Sequence, residues 1–565
     1  MSAASSPFGR PTRRTEEFRA ARDLLLSTRL DHDGACRAFR WPRFSSFNWA
    51  LEWFDVVAEG SERTALELVA PDGTVSAISY QEMAHRSAAV ASWLAGRGVR
   101  RGDRVLVVLG TQQELWESLL ACLKLGAVVI PSYTDLTPAE ARDRTQRGGV
   151  RHVVCRSDLV ALFRDAPGGV RVAVGAGMPG WADYGEAFRP ARPFVPDGPT
   201  PAQDLAFCYF TSGTTSLPKL VGHTHASYPV GHLSSMYWNG VLPGDRHLTV
   251  SAPGWAKHSW SGFFVPWNAE ATVVACADGC SPDRLTSLLA ERRVTSFCAP
   301  PSTWYALRPF LRAARPALRE ATSAGEPLDP CLAREVYDAW GLRVRDGYGQ
   351  TETTALIGTT PGLTPRPGWL GKVLPGYDVL VDGRADGPAE GEVHVDLARE
   401  PLGVMLGYLD DPSRTGAVLT SGRYRTGDVG VRDESGWVRL VGRRDDVFKS
   451  FGHRISPYEL EAVLRAHPEV LEAAVVAVPH ALGGAVPHAV VVPSANAQEA
   501  DLPSRLLVHV DERVAPSLRL HAVHVADRLP RTASGKIRRS AVGEWVRATA
   551  GGATGHRSLG VSDPC

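Results

Sequence analysis

Lysine is scarce in this chain. Of 62 basic residues only six are lysines, at positions 124, 219, 257, 372, 449 and 536; the rest are arginine. Wherever a positive charge only has to be solvated, arginine is used, so a lysine kept against that bias is a candidate for chemistry that needs a compact, mobile ammonium. Lys124 is read as incidental, because it falls in the amphipathic pattern of Leu115, Leu119, Leu120 and Leu123. Charge imbalance is also missing. A formal net charge of +1 leaves no electrostatic footprint for nucleic acid or an anionic membrane. No apolar run approaches the ~18 residues of a membrane-spanning helix. The first thirty residues hold arginines but no apolar signal core, and Glu16-Glu17 argues against a transit peptide. Nine cysteines show no paired framework, which points to reduced thiols and a cytoplasmic protein. Cys276 and Cys280 flank Ala-Asp-Gly with no second ligand pair, so this segment reads as a loop and not a zinc site.

Two short stretches stand out against this background. Thr211-Ser-Gly-Thr-Thr-Ser-Leu-Pro-Lys219 follows the apolar run Leu205–Phe210, and Pro530-Arg-Thr-Ala-Ser-Gly-Lys536 lies near the C-terminus. The first offers hydroxyls, backbone N–H groups and one ammonium, which suits polyphosphate. It is not a Walker A loop, since Pro218 stands where that pattern needs glycine.

Helical and strand patterns alternate through the N-terminal two-thirds. Arg104–Leu109 reads as a strand, 113–125 as a helix and Ala127–Ile130 as a strand; Arg151–Cys155 and Arg171–Val174 read as further buried strands. This alternation predicts parallel sheets covered by helices. From about 365 to 440 the strands become short and glycine-punctuated, as in Gly391–Asp396 and Trp437–Val441. Beyond Gly442–Asp446 a helix (458–466), a strand (471–478) and a second strand pair predict a compact α+β tail.

Five motifs in order then carry a resemblance to the adenylate-forming superfamily of acyl-CoA synthetases, adenylation domains and luciferases. They are Thr211–Lys219, Gly347-Tyr-Gly-Gln-Thr-Glu352, Tyr424-Arg-Thr-Gly-Asp428, Gly442–Glu461 and Pro530–Lys536. Phe39–Phe44, Asn48–Trp53 and Gly254–Trp260 look most like the medium-chain and aromatic acyl-CoA synthetase branch. The resemblance implies an α/β fold. A large N-terminal domain over 1–442, of two parallel-sheet α/β subdomains and a small β-barrel-like one, is hinged at 443–447 to a smaller α+β domain over 448–549. A disordered tail over 550–565 is expected.

It further implies ATP, Mg²⁺ and CoA as cofactor and co-substrates, and activation of a carboxylic acid as acyl-AMP before transfer to CoA. Lys536 would bridge the carboxylate and the α-phosphate, Thr351 would donate to that phosphate, and Glu352 would hold Mg²⁺. Thr211, Ser212, Gly213, Thr214, Thr215 and Lys219 would cradle pyrophosphate. Gly325, Glu326, Pro327, Asp346, Gly347, Tyr348 and Gln350 would take the adenine end, with Tyr348 stacked on the base. Asp428 and Arg443 would hold the ribose, Arg454 would reach the outer phosphates, and Asp445 would be the pivot. Trp255, Lys257, His258 and Gly349 would line the acid pocket, beside Trp260, Phe263 and Trp267. Gly349 stands where acetate-specific relatives place tryptophan, so it would open the pocket floor. Ser216 departs from the family's usual glycine, which implies an altered loop path. His223 and His225 are read as surface or capping residues.

Several alternatives stay open. The acceptor could be a carrier protein or an amine in place of CoA, and nitrite could replace the acid. The third alternative, a non-catalytic nucleotide-binding regulator, predicts loss of Lys536 or Glu352, and both are present. The oligomeric state is not legible in the sequence.

Overall fold

The computed structural model describes residues 10–550 except 167, 190–191, 212–217, 278–279, 481, 496, 499 and 532–535. The expected tail at 550–565 and the phosphate-loop residues Ser212, Gly213, Thr214, Thr215 and Ser216 therefore lie outside the described residues, apart from the backbone of Ala550. Two compact units emerge. One comprises the chain up to Thr211, Pro218–Asp378 and Asp396–Tyr424; the other holds Val379–Val395 and the chain from Arg425 onward.

The first unit is built on two large sheets. In one, Thr64–Val69, Thr272–Cys276, Arg246–Thr249, Ser296–Ala299, Glu320–Ala324 and Val344–Gly349 lie side by side and parallel. Antiparallel strands close its edges at Val75–Ser79, Ala355–Gly358 and Lys372–Val373. In the other, Leu205–Thr211, Val128–Ser132, Arg104–Val108, His152–Arg156, Arg171–Val174 and Ala182–Asp183 run parallel; Lys219–Thr224 and Gly407–Tyr408 add antiparallel strands. Strands covered on both faces are apolar throughout, as Val105–Val108 are. The helix Gln113–Leu125 ends at Gly126, whose φ of +70° provides the left-handed cap. Thr137 and Glu140 form a reciprocal capping box at the start of Pro138–Arg147.

In the second unit Val379–Val381, Ala389–Asp396, Arg423–Arg432 and Val438–Arg443 form one sheet with antiparallel outer pairs. A further sheet runs His453–Ile455, Phe448–Ser450, Gly484–Pro493, Val470–His480, with Ala522–Val525 parallel to Gly484–Pro493. Its side chains alternate between two cores. Val475 and Val491 join Leu460, Leu464 and Leu506 on one face, and Val476 and Val490 join Val542 and Val546 on the other.

Candidate active site

Parallel pairing of Glu320–Ala324 with Val344–Gly349 sets Ala324 opposite Gly347, so Gly325–Pro327 and Gly347–Gln350 leave the sheet at neighbouring carboxyl ends. Such ends are where open α/β sheets place ligands. Buried Asp346 accepts N–H bonds from Leu328 (3.2 Å) and Gly347 (2.9 Å), and burial pushes its carboxyl up to about 7. Lys257 donates to the Ala324 carbonyl at 3.0 Å, which ties the lysine of the tryptophan segment to the start of the Gly325 loop. Trp238 donates from Nε1 to the Asp346 carbonyl at 3.1 Å. A β-carbon on Gly347 would stand 2.3 Å from that indole, so no other residue fits there.

Beyond the strand, Glu352 Oε1 accepts from the Tyr408 hydroxyl at 2.8 Å, and Lys219 Nζ lies 3.5 Å from the same oxygen. Lys219 also donates to the Tyr408 hydroxyl at 3.2 Å, and its ammonium sits 4.9 Å from that ring centre. The cause is topological. Lys219 opens a strand paired with Leu205–Thr211 on one side and with Gly407–Tyr408 on the other. Gln350 Oε1 accepts from Tyr424 at 2.6 Å. Tyr348 is buried.

His223 and His225 correct an expectation, since both are fully buried. His223 Nε2 donates to the Thr351 carbonyl at 2.7 Å while Nδ1 faces the Ser227 hydroxyl at 3.2 Å; burial depresses its pKa to about 4, so the ring is neutral. It therefore holds the backbone of the expected phosphate-donating threonine. Burial takes His225 to about 3. Neither His223 nor Tyr408 carries a local sequence signal, because each role depends on a strand partner far along the chain.

The tryptophan segment divides. Trp255 is half-buried and stacks on Tyr133 at 5.5 Å and 12°. His258 is buried against Trp116 and held neutral, with its pKa near 4. Trp267 and Phe263 are core residues, and Trp267 Nε1 donates to Ala65 O at 3.0 Å. A β-carbon on Gly349 would lie 2.3 Å from the Thr354 carbonyl oxygen, so backbone packing there demands glycine. Lys124 is also not incidental: it is fully buried, 2.8 Å from Asp55.

In the second unit Asp428 and Arg443 are cross-strand partners, with Arg443 Nη1 3.2 Å from Asp428 Oδ1. Arg443 also donates to Thr426 O at 3.2 Å, and Asp428 is buried within a strand, not a turn. Exposed Asp445 lies in the turn that follows, where the Arg443 carbonyl accepts from Asp446 and Val447 at 3.0 Å. Arg454 pairs with Glu390 at 2.8 Å. Lys536 is exposed and precedes Ile537, which bridges to Arg531. Among the described residues, no helix is long and apolar enough to cross a membrane.

The model of the AMP-binding enzyme family matches residues 53–409, and the model of its C-terminal domain matches residues 459–536. The chain is 35% identical over 514 residues to 4-hydroxybutyrate–CoA ligase 1 of Metallosphaera sedula, covering 87% of this chain and 89% of that one. A mitochondrial acyl-coenzyme A synthetase of Mus musculus is 33% identical over 472 residues, covering 79% and 81%. Among solved structures, a benzoate CoA ligase from Burkholderia xenovorans superposes with a TM-score of 0.75 at 26% identity, covering 88% of this chain and 100% of that one.

Proposed function

The chain belongs to the AMP-binding enzyme family, and from that premise we propose that it joins a medium-chain or aromatic carboxylic acid to coenzyme A through an acyl-adenylate. The observation that carries this reading is the set Lys219, Tyr408 and Glu352, in which two strands of the second sheet meet the turn that follows Val344–Gly349.

A carboxylate resists thiols because its leaving group would be oxide. In the first half-reaction a carboxylate oxygen bonds to the α-phosphorus as the bond to pyrophosphate breaks. Two anions must meet, so the protein's work is positioning and charge neutralisation. Lys219 neutralises the departing pyrophosphate with Thr211 and the loop between them. Thr351 donates to the α-phosphate from a backbone fixed by His223. Lys536 bridges the acid and the α-phosphate, Tyr348 takes the adenine face, and Asp428 with Arg443 takes the ribose hydroxyls. Arg454 turns to the outer phosphates, since an ion pair as exposed as that with Glu390 is worth only about 0–1 kcal/mol.

Magnesium is bound through one or two carboxylates plus substrate phosphates. Glu352, a largely buried carboxylate 3.5 Å from the Lys219 ammonium, fits that donor set. Bound there, the ion supplies further neutralisation of phosphate charge.

In the second half-reaction the CoA sulfur bonds to the acyl carbon as the carbon–oxygen bond to AMP breaks, and the thiol proton passes to solvent. Residues 443–447, with Asp445 as pivot, turn the mobile domain 448–549 on the larger domain 1–442 between the two steps. A cytoplasmic location completes the reading.

The test is pyrophosphate release across a panel of carboxylic acids and nitrite, with and without CoA. Acid-dependent release, with thioester formed only when CoA is present, is expected. Release with nitrite alone, or acyl transfer only to an amine or carrier protein, would overturn it.

A further inference from the structure

Arg539 opens the helix Arg539–Ala550, just beyond Lys536. The chain between them is already folded back. Ile537 bridges to Arg531, and the Arg538 N–H donates to Pro530 O at 2.8 Å. Arg539 then ties this exit stem to two other elements. Its Nη2 donates to Glu461 Oε2 at 2.8 Å, on the helix Pro457–Arg465, and its Nε lies 3.6 Å from Asp446 Oδ2. The guanidinium also lies over the Tyr458 ring at 4.8 Å. One cation thus serves two carboxylates. Burial pushes both carboxyls above their ordinary values, and the Arg539 charge is the strongest influence opposing it.

Sequence position gives these contacts their meaning. Asp446 directly follows Asp445, the expected pivot, and its N–H donates to the Arg443 carbonyl at 3.0 Å. Asp446, Glu461, Lys536 and Arg539 all lie beyond Asp445, so a turn at that residue leaves their contacts intact. Two ion pairs span it instead: Arg439 with Glu459 and Arg454 with Glu390, each at 2.8 Å. The two classes differ in burial. The Arg539 and Glu461 side chains are 12% and 3% exposed, whereas every partner in the spanning pairs keeps 33% or more. Exposed pairs part at little cost, and a buried one holds because separation would strand a charge. The ion pairs that a turn must break are weak, and the one that must carry it is buried. Packing alone gives no reason for a guanidinium there, since apolar side chains of similar volume fill such a place at least as well.

We propose that Arg539 is a positioning residue for the adenylation step. It fastens the exit stem of the Lys536 loop to Asp446, so that motion at the pivot reaches Lys536 without slack. This rests on the acid–CoA ligase reading, in which Lys536 meets the acid and the α-phosphate in the first half-reaction. Such a lysine acts only at close range, and a misplacement of about 1 Å costs on the order of a hundredfold in rate. The entry stem gives a weaker hold, because Arg531 and Glu472, paired at 2.8 Å, are both partly exposed.

The test separates the half-reactions. Pyrophosphate release from ATP is measured with hexanoate and benzoate, and thioester formation is measured from supplied hexanoyl- or benzoyl-AMP and CoA, each beside the denaturation midpoint. Asp446→Ala cuts only the arm to the hinge turn and keeps the Arg539–Glu461 pair. It should lower kcat for pyrophosphate release about tenfold, with KM for ATP and acid within about twofold and the midpoint unchanged. Thioester formation should slow by no more than about threefold. Arg539→Met with Glu461→Leu removes the buried pair without stranding a charge, and should lower the same kcat about a hundredfold. Arg539→Lys, whose single ammonium cannot fork between two acids, should fall between the wild type and that double variant.

Unchanged pyrophosphate release in Asp446→Ala, or equal loss of both half-reactions in it, overturns the proposal and leaves the ligase reading standing. Where the double variant does not fold, Asp446→Ala decides by itself. No release by the wild type with either acid overturns the medium-chain or aromatic ligase reading and this proposal with it.

Discussion

Lys124 and Lys219 each face a carboxylate in the same unit, yet the two pairs are built differently. Lys124 lies 2.8 Å from Asp55 and donates to Ala84 O at 3.0 Å, with side-chain exposures of 0% and 4% across the pair. Lys219 keeps 3.5 Å from Glu352, with Tyr408 bonded to both and exposures of 22% and 11%. A fully desolvated ammonium is fixed to its partner, because leaving would strand an opposite charge in the interior. A loosely held ammonium that keeps some exposure remains able to meet an incoming anion. Both belong to the six lysines of the chain, and burial separates them.

The sharpest way to break the comparison is to remove each lysine. Lys124→Ala leaves Asp55 buried and unpaired, and should lower unfolding free energy by about 3–5 kcal/mol in denaturant titrations. Replacing the pair together, Lys124→Met with Asp55→Leu, should recover most of that loss. Lys219→Ala should instead leave the denaturation midpoint near wild type and slow pyrophosphate release by about 10²–10³-fold. A large stability loss in the Lys219 variant would erase the distinction.

Tyr408→Phe probes what holds the looser pair. It removes hydrogen bonds to an anion and a cation, each worth about 1.5–3 kcal/mol, and should weaken adenylation with the largest change in its Mg²⁺ dependence. An unchanged Mg²⁺ titration would remove Tyr408 from the site.

The smallest effect is a pH dependence. Burial raises Asp55 from 3.8 to about 6, although Lys124 opposes the shift. The folded state thus binds this proton more tightly than the unfolded state does. The contribution is complete below about 4 and is lost as pH rises through about 6. Stability measured from pH 4 to 7 should carry that declining component in the wild type, and the Met/Leu double variant should lack it.

Much of the fold was legible. Arg104–Val108, Gln113–Leu125 and Arg171–Val174 fall within a residue of where the apolar periodicity puts them, because runs covered on both faces must be continuously apolar. Val379–Val395 and the chain from Arg425 onward cluster as one compact unit, although they are far apart in sequence. Within the site, Asp428 and Arg443 were legible as candidates and prove to be cross-strand partners. Tyr408 was missed, and His223 was read as a surface or capping residue although it is fully buried.

The sequence alone determined the order of the motifs, the alternation that makes parallel sheets, and the residue types able to handle phosphate. Those properties are local: they depend on side-chain period, on turn chemistry and on which lysines survive. Tertiary structure decided which lysine is buried, which histidine fixes Thr351, and why Gly349 is glycine. Such outcomes depend on strand register and on neighbours far away in the chain. A one-residue change of register in Lys219–Thr224 would turn His223 to the other face of its sheet.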